Sequence, residues 1–134
     1  MDKYCAYYTK SNSITDYMVK MIDLNASDHL LEQCGGDGAF IDALVNKKSN
    51  LLIDTVDIDM EAINILRKKY GKFDNISIRK ADTLLDFSEN DIESKYTKII
   101  GNPYMLHGKI MIIEKNLKNC IKDIMSRKHI NYLF

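Results

Sequence analysis

Leu31-Glu32-Gln33-Cys34-Gly35-Gly36-Asp37-Gly38-Ala39-Phe40 is the stretch that decides the fold of this 134-residue chain. His29 to Gln33 reads as a short strand that breaks at Cys34-Gly35-Gly36. Asp37 to Lys48 then reads as a helix with Phe40, Ile41, Leu44 and Val45 inward. Gly36 and Gly38 sit where the backbone must turn, and small residues there let another group approach it closely. The start of the following helix offers N–H groups that have no intrahelical acceptor.

The same alternation continues outward. Leu51 to Ile58 is a second strand, rich in β-branched residues at Ile53, Thr55, Val56 and Ile58. Met60 to Tyr70 is a helix with Ala62, Ile63, Ile65 and Leu66 apolar, stopped by Gly71, and Arg67, Lys68 and Lys69 suit its C-terminal dipole. Asn75 to Arg79 and Tyr96 to Gly101 are further strands. Ser13 to Leu24 is a preceding helix, with Ser13 and Asp16 as a capping-box-like start and Ile14, Tyr17, Met18, Met21 and Ile22 on one face. Lys109 to Ser126 is expected to be a last helix, striped by Ile113, Leu117, Ile121 and Ile124. Strand–helix alternation of this kind predicts an α/β domain with a parallel sheet of about four strands. Ligands in such sheets bind beyond the carboxyl ends of the strands.

Asp57 gives that expectation a chemistry. It follows Gly38 by nineteen residues and ends the second strand. A carboxylate at that spacing from a glycine loop suits the two hydroxyls of a ribose. The full G-x-G-x-x-G pattern is not met, because position 41 is Ile. Glu32 and Asp37 flank the glycines and would repel a diphosphate. S-adenosylmethionine carries a sulfonium, an ammonium and no phosphate, so it fits an acidic loop better.

Composition narrows the class. Nineteen basic and nineteen acidic residues leave a formal net charge of zero, so bulk charge names no polyanionic partner. Residues 105–134 carry a local basic excess at Lys109, Lys115, Lys118, Lys122, Arg127 and Lys128 against Glu114 and Asp123, which suits a phosphate backbone or a solvated helix face. The hydrophobic fraction of 46% supports a real core. Cys5, Cys34 and Cys120 are far apart, with no zinc spacing, and a reduced cytoplasmic setting is the simplest reading. No stretch approaches the length of a membrane span, and no metal site is expected.

Five short motifs in order give a resemblance. Tyr7-Tyr8-Thr9-Lys10, the glycine stretch 31–40, Val56-Asp57-Ile58-Asp59, Ala81-Asp82-Thr83-Leu84-Leu85 and Asn102-Pro103-Tyr104 resemble the successive motifs of adenine-N6 DNA methyltransferases of the gamma group, often found in restriction–modification systems. The resemblance covers about residues 7–104 and implies a partial Rossmann-like class I methyltransferase fold, a single truncated domain over 1–134. It implies S-adenosylmethionine as cofactor, held by Tyr8, Thr9, Glu32, Gly36, Gly38, Asp57, Ile58, Asp82 and Asn102. Asn102, Pro103 and Tyr104 would be catalytic. The Asn side-chain oxygen and the proline carbonyl would accept the two hydrogens of the target amine, while the aromatic ring stacks on a flipped base.

Gln33 replaces a usual proline, and the catalytic loop lacks one proline. Only thirty residues follow Tyr104, so the strand ending at Gly101 is expected to be an edge, covered by the last helix or by a partner chain that supplies missing strands and DNA recognition. Two alternatives stay open. One is a non-catalytic module that binds the cofactor or nucleic acid. The other is a neighbouring class, either ribosomal-RNA adenine dimethyltransferases, whose G-N-x-P-Y loop resembles Gly101-Asn102-Pro103-Tyr104 minus one residue, or protein-glutamine methyltransferases.

Overall fold

The computed structural model describes residues 12–83, 85–101 and 111–114. Its elements are α1 (Asn12–Met21), β1 (His29–Gln33), α2 (Ala39–Lys47), β2 (Leu52–Asp57), α3 (Met60–Tyr70), β3 (Ile76–Lys80), α4 (Glu89–Lys95), β4 (Lys98–Gly101) and β5 (Met111–Glu114). They form one five-stranded sheet in the order β3-β2-β1-β4-β5. β1 to β4 run parallel, and β5 is antiparallel to β4. The chain order reverses between β1 and β4, so the switch point of the sheet lies beside the glycine loop.

β1 is central and buried on both faces from Leu30 to Gln33, as expected for a parallel strand covered on two sides. Leu30, Ile53, Ile76 and Ile100 meet Met18, Val19, Ile22, Phe40, Ile41, Leu44, Ile63, Leu66 and Tyr70 in the main core. At the amino ends of the strands a polar network ties β1, β2 and β4 together. Asp54 accepts from Tyr96 Oη and Lys95 Nζ, each at 2.7 Å, and pairs with His29 Nε2 at 3.0 Å. Burial pushes the Asp54 carboxyl up, but the bonds from Lys95, Tyr96 and His29 outweigh it and hold it below the usual carboxylate range. Asp28 accepts from Thr97 Oγ1 at 2.8 Å and faces Lys98 Nζ at 3.3 Å.

Four expectations are corrected. The buried face of α1 is Thr15, Met18, Val19 and Ile22, while Ile14, Tyr17 and Met21 are about half exposed. Several apolar stripes can be drawn on a short helix, and the one whose i, i+3, i+4, i+7 spacing meets α2 wins. α1 also begins at Asn12, so Ser13 lies inside it, and the side-chain bond at that end runs from Thr15 Oγ1 to Asn12 O at 3.0 Å. α4 has no counterpart in the sequence reading, because Ile92 is the one apolar residue in Glu89–Lys95 and gives no periodicity. Met111–Glu114 is a strand, not part of a helix, and it covers β4, so the β4 edge is paired. A short apolar run such as Met111-Ile112-Ile113 reads equally well with either period, and the open ladder of β4 decides. The rest of the expected last helix lies outside the described residues. Among the described residues no helix is long and apolar enough to cross a membrane.

Candidate nucleoside site at the strand ends

The glycine loop owes its path to three left-handed residues, Cys34 (φ 60), Gly36 (φ 55) and Gly38 (φ 87). Gly38 precedes α2 with no side-chain cap, and a Cβ there would lie 2.6 Å from the Tyr70 ring. Gly35 packs so tightly that a Cβ would collide with Thr55 Oγ1. Both positions therefore exclude side chains for packing reasons as well as for ligand access. The loop is closed by Gly35 N–H to Val56 O at 3.0 Å and Gly38 N–H to Gly35 O at 2.9 Å.

Asp57 stands against this loop. Its Oδ2 accepts from Gly36 N–H and its Oδ1 from Asp59 N–H, each at 2.9 Å. The carboxylate is thus fixed in orientation by two backbone donors, and each oxygen keeps a further lone pair. Asp59 accepts from Glu61 N–H at 3.0 Å as the N-cap of α3. Ala81 N–H donates to Asp57 O at 3.0 Å, which carries the β2–β3 ladder on to the residue before Asp82. A turn closed by Asp82 N–H to Asp86 Oδ2 at 2.7 Å follows. Gly36, Gly38, Asp57, Ile58 and Asp82 are therefore gathered at the carboxyl ends of β1 to β3, as the sequence predicts.

Glu32 also lies near the carboxyl end of β1. Its side chain is fully buried beneath the loop, where Oε2 accepts from Thr55 Oγ1 at 2.8 Å and Oε1 has no hydrogen-bond partner. Burial pushes its carboxyl up to about 8; the Thr55 bond opposes this, and Asp57, Asp37 and Asp42 add to it. The raised carboxyl favours its neutral form, which weakens the repulsion of a diphosphate expected from Glu32. Asp37 and Asp57 carry the negative charge around the glycines. Tyr8, Thr9, Asn102, Pro103 and Tyr104 lie outside the described residues.

Two residues at the end of α3 were invisible to sequence reasoning. Tyr70 Oη sits within hydrogen-bond distance of both Gly38 O, at 2.9 Å, and Asp42 Oδ1, and its one proton is shared between these two acceptors. Lys69 Nζ donates to Asp37 O at 2.7 Å and to Asp42 Oδ2 at 2.9 Å. A groove of about 600 Å³ behind them, lined by Thr15, Asp16, Asp42, Ala43, Tyr70 and Phe73, opens between helices and not at the strand ends. Among the described residues no group of three His, Cys, Asp or Glu side chains could hold a metal ion.

The arrangement of strands and helices is similar to that of solved structures. A dimethyladenosine transferase from Plasmodium falciparum superposes with a TM-score of 0.60 at 22% identity, covering 90% of this chain and 38% of that one. An RNA methyltransferase from Salinibacter ruber in complex with S-adenosyl-L-homocysteine gives 0.56 at 19% identity, covering 69% and 58%. The fold is that of the class I methyltransferases. No protein-family model matches it. Among curated proteins, ribosomal RNA small subunit methyltransferase A of Pseudomonas putida is 31% identical over 113 residues, 83% of this chain and 42% of that protein. The Coxiella burnetii protein of the same description is 29% identical over 120 residues, 88% of this chain and 45% of the relative. The chain spans less than half the length of these relatives.

Proposed function

We propose that this chain is the S-adenosylmethionine-binding part of a methyltransferase acting on the N6 amino group of adenine in ribosomal RNA. The observation that carries the cofactor half is the fixed carboxylate of Asp57 against the glycine loop, with Gly36 N–H donating to it at 2.9 Å. The free lone pairs of Asp57 suit two ribose hydroxyls, and Asp82, just past the end of β3, suits an adenine amino group. The acidic Asp37 beside the glycines suits a ligand with positive charge and no phosphate. The donor set fits the cofactor, which when bound supplies an electrophilic methyl group.

The acceptor half rests on the relatives, which are ribosomal RNA methyltransferases, and on Gly101-Asn102-Pro103-Tyr104. They favour RNA over the DNA that the five-motif pattern implies. In this reading Asn102 and Pro103 accept the hydrogens of the target amine and Tyr104 stacks on the base. A partner or further chain supplies the rest of the acceptor surface. A second reading, cofactor binding without methyl transfer, is favoured by the 101–104 loop, which is one residue shorter than G-N-x-P-Y.

Calorimetric titration of the purified chain with S-adenosylmethionine tests the proposal. Asp57→Ala should weaken binding by about tenfold to a hundredfold, the worth of charge-assisted hydrogen bonds. A folded wild-type chain that takes up no cofactor overturns it. Methyl transfer to unmodified small-subunit ribosomal RNA but not to duplex DNA would support the acceptor; the reverse preference would return the chain to the DNA group.

A further inference from the structure

The glycine loop is held from outside its own sheet. Lys69 and Tyr70, consecutive at the end of α3, reach the consecutive carbonyls of Asp37 and Gly38, at 2.7 and 2.9 Å. They also share Asp42 of α2, so three elements meet at one point. A trans peptide points its C=O and its N–H in opposite directions. Carbonyls of residues 37 and 38 turned toward α3 therefore turn the amides of Gly38 and Ala39 away from it. Gly38 N–H is then in place to close the loop on Gly35 O at 2.9 Å. Ala39 N–H, in the first turn of α2, has no intrahelical acceptor.

The Tyr70 ring also fills the space that a side chain at position 38 would need. Ring and glycine are thus complementary, and the left-handed turn at φ 87 is kept by a partner 32 residues away. Burial and then Asp42 push the Tyr70 hydroxyl well above its ordinary pKa, so it remains a donor throughout the physiological range.

We propose that Tyr70 and Lys69 are positioning residues of the nucleoside site, a latch from α3 that sets the peptide planes of the glycine loop for S-adenosylmethionine. This rests on the function proposed above. Neither residue need touch the cofactor.

The test compares Tyr70→Phe, which keeps the ring and removes the hydroxyl, with Asn75→Ala. Asn75 Nδ2 donates to Leu51 O at 2.7 Å, remote from the loop, so its loss destabilises the chain without reaching the latch. Titration with S-adenosylmethionine is run where both variants remain folded. Tyr70→Phe should bind about tenfold more weakly, Lys69→Met should behave alike, Lys69→Arg should recover most of the affinity, and Asn75→Ala should match wild type. In the ligand-free chain, amide exchange at Gly38 should accelerate about tenfold in Tyr70→Phe and not in Asn75→Ala.

Wild-type affinity in Tyr70→Phe, or equal losses in Tyr70→Phe and Asn75→Ala, overturns the latch while leaving the cofactor site standing. A folded wild type with no binding overturns the cofactor reading instead. The exchange measurement needs no ligand, and unchanged Gly38 exchange in Tyr70→Phe overturns the latch in that case too.

Discussion

Replacing Glu32 by Gln should flatten the pH dependence of stability between pH 5 and 8. The wild-type side chain is fully buried, with one oxygen bonded to Thr55 at 2.8 Å and the other without a partner. Its carboxyl is pushed from 4.5 up to about 8, chiefly by burial. Between those values the folded chain keeps a proton that the unfolded chain has released. Folding stability therefore falls as pH rises through that window, fully present below 4.5 and lost above 8.

One pKa unit corresponds to about 1.4 kcal/mol, so the raised carboxyl implies a loss of a few kcal/mol, on the order of 3–4, between pH 5 and 8. Gln has the same shape, does not titrate, and offers Thr55 an amide oxygen. Urea unfolding at pH 5 and pH 8, with m unchanged, reads the difference directly. Glu32→Gln should gain on the order of 3–4 kcal/mol on the wild type between the two conditions. A gap between the proteins that stays constant to within about 0.5 kcal/mol would refute the buried, protonated state of Glu32.

Other substitutions report on neighbouring parts of the molecule. Gly38→Ala places a Cβ 2.6 Å from the Tyr70 ring at a φ of 87, so strain and ring displacement together should cost about 2–4 kcal/mol in urea unfolding. A cost under about 0.5 kcal/mol would mean that the loop is not held in this shape. Asp54→Asn should cost about 1–2 kcal/mol at pH 7. Because the Asp54 carboxyl is held below its ordinary value, its stabilisation is present above 3.8 and lost as pH falls through the folded value. The wild-type advantage should therefore shrink on acidification to pH 2, and a constant difference would contradict the network with Lys95, Tyr96 and His29.

Much of the architecture was legible because its signals are local. β1 and α3 match their expected bounds, and the other parallel strands shift by a residue or two at their ends. Strand breaks at glycine, β-branched runs and helix dipole charges act within one element, so one dimension carries them. The spacing from Gly38 to Asp57 was legible for the same reason: a β–α–β unit fixes the distance between successive strand ends. The hydrogen bond from Gly36 to Asp57 bears that juxtaposition out.

Sequence by itself thus determined the alternating units, the glycine turn and the carboxylate set against it. Tertiary structure decided what depends on which surfaces meet. Glu32 looks like a charge beside a ligand, yet packing beneath Gly35 makes it a buried acid whose proton the surrounding carboxylates help to retain. α1 carries two apolar stripes, and contact with α2 selects one. Met111–Glu114 takes a strand because β4 offers an unpaired ladder. Tyr70 and Asp42 are 28 residues apart, and only the folding of α3 across the sheet brings them together over the glycine loop. Periodicity records which way a side chain faces on its own element; it holds no record of what the fold places opposite.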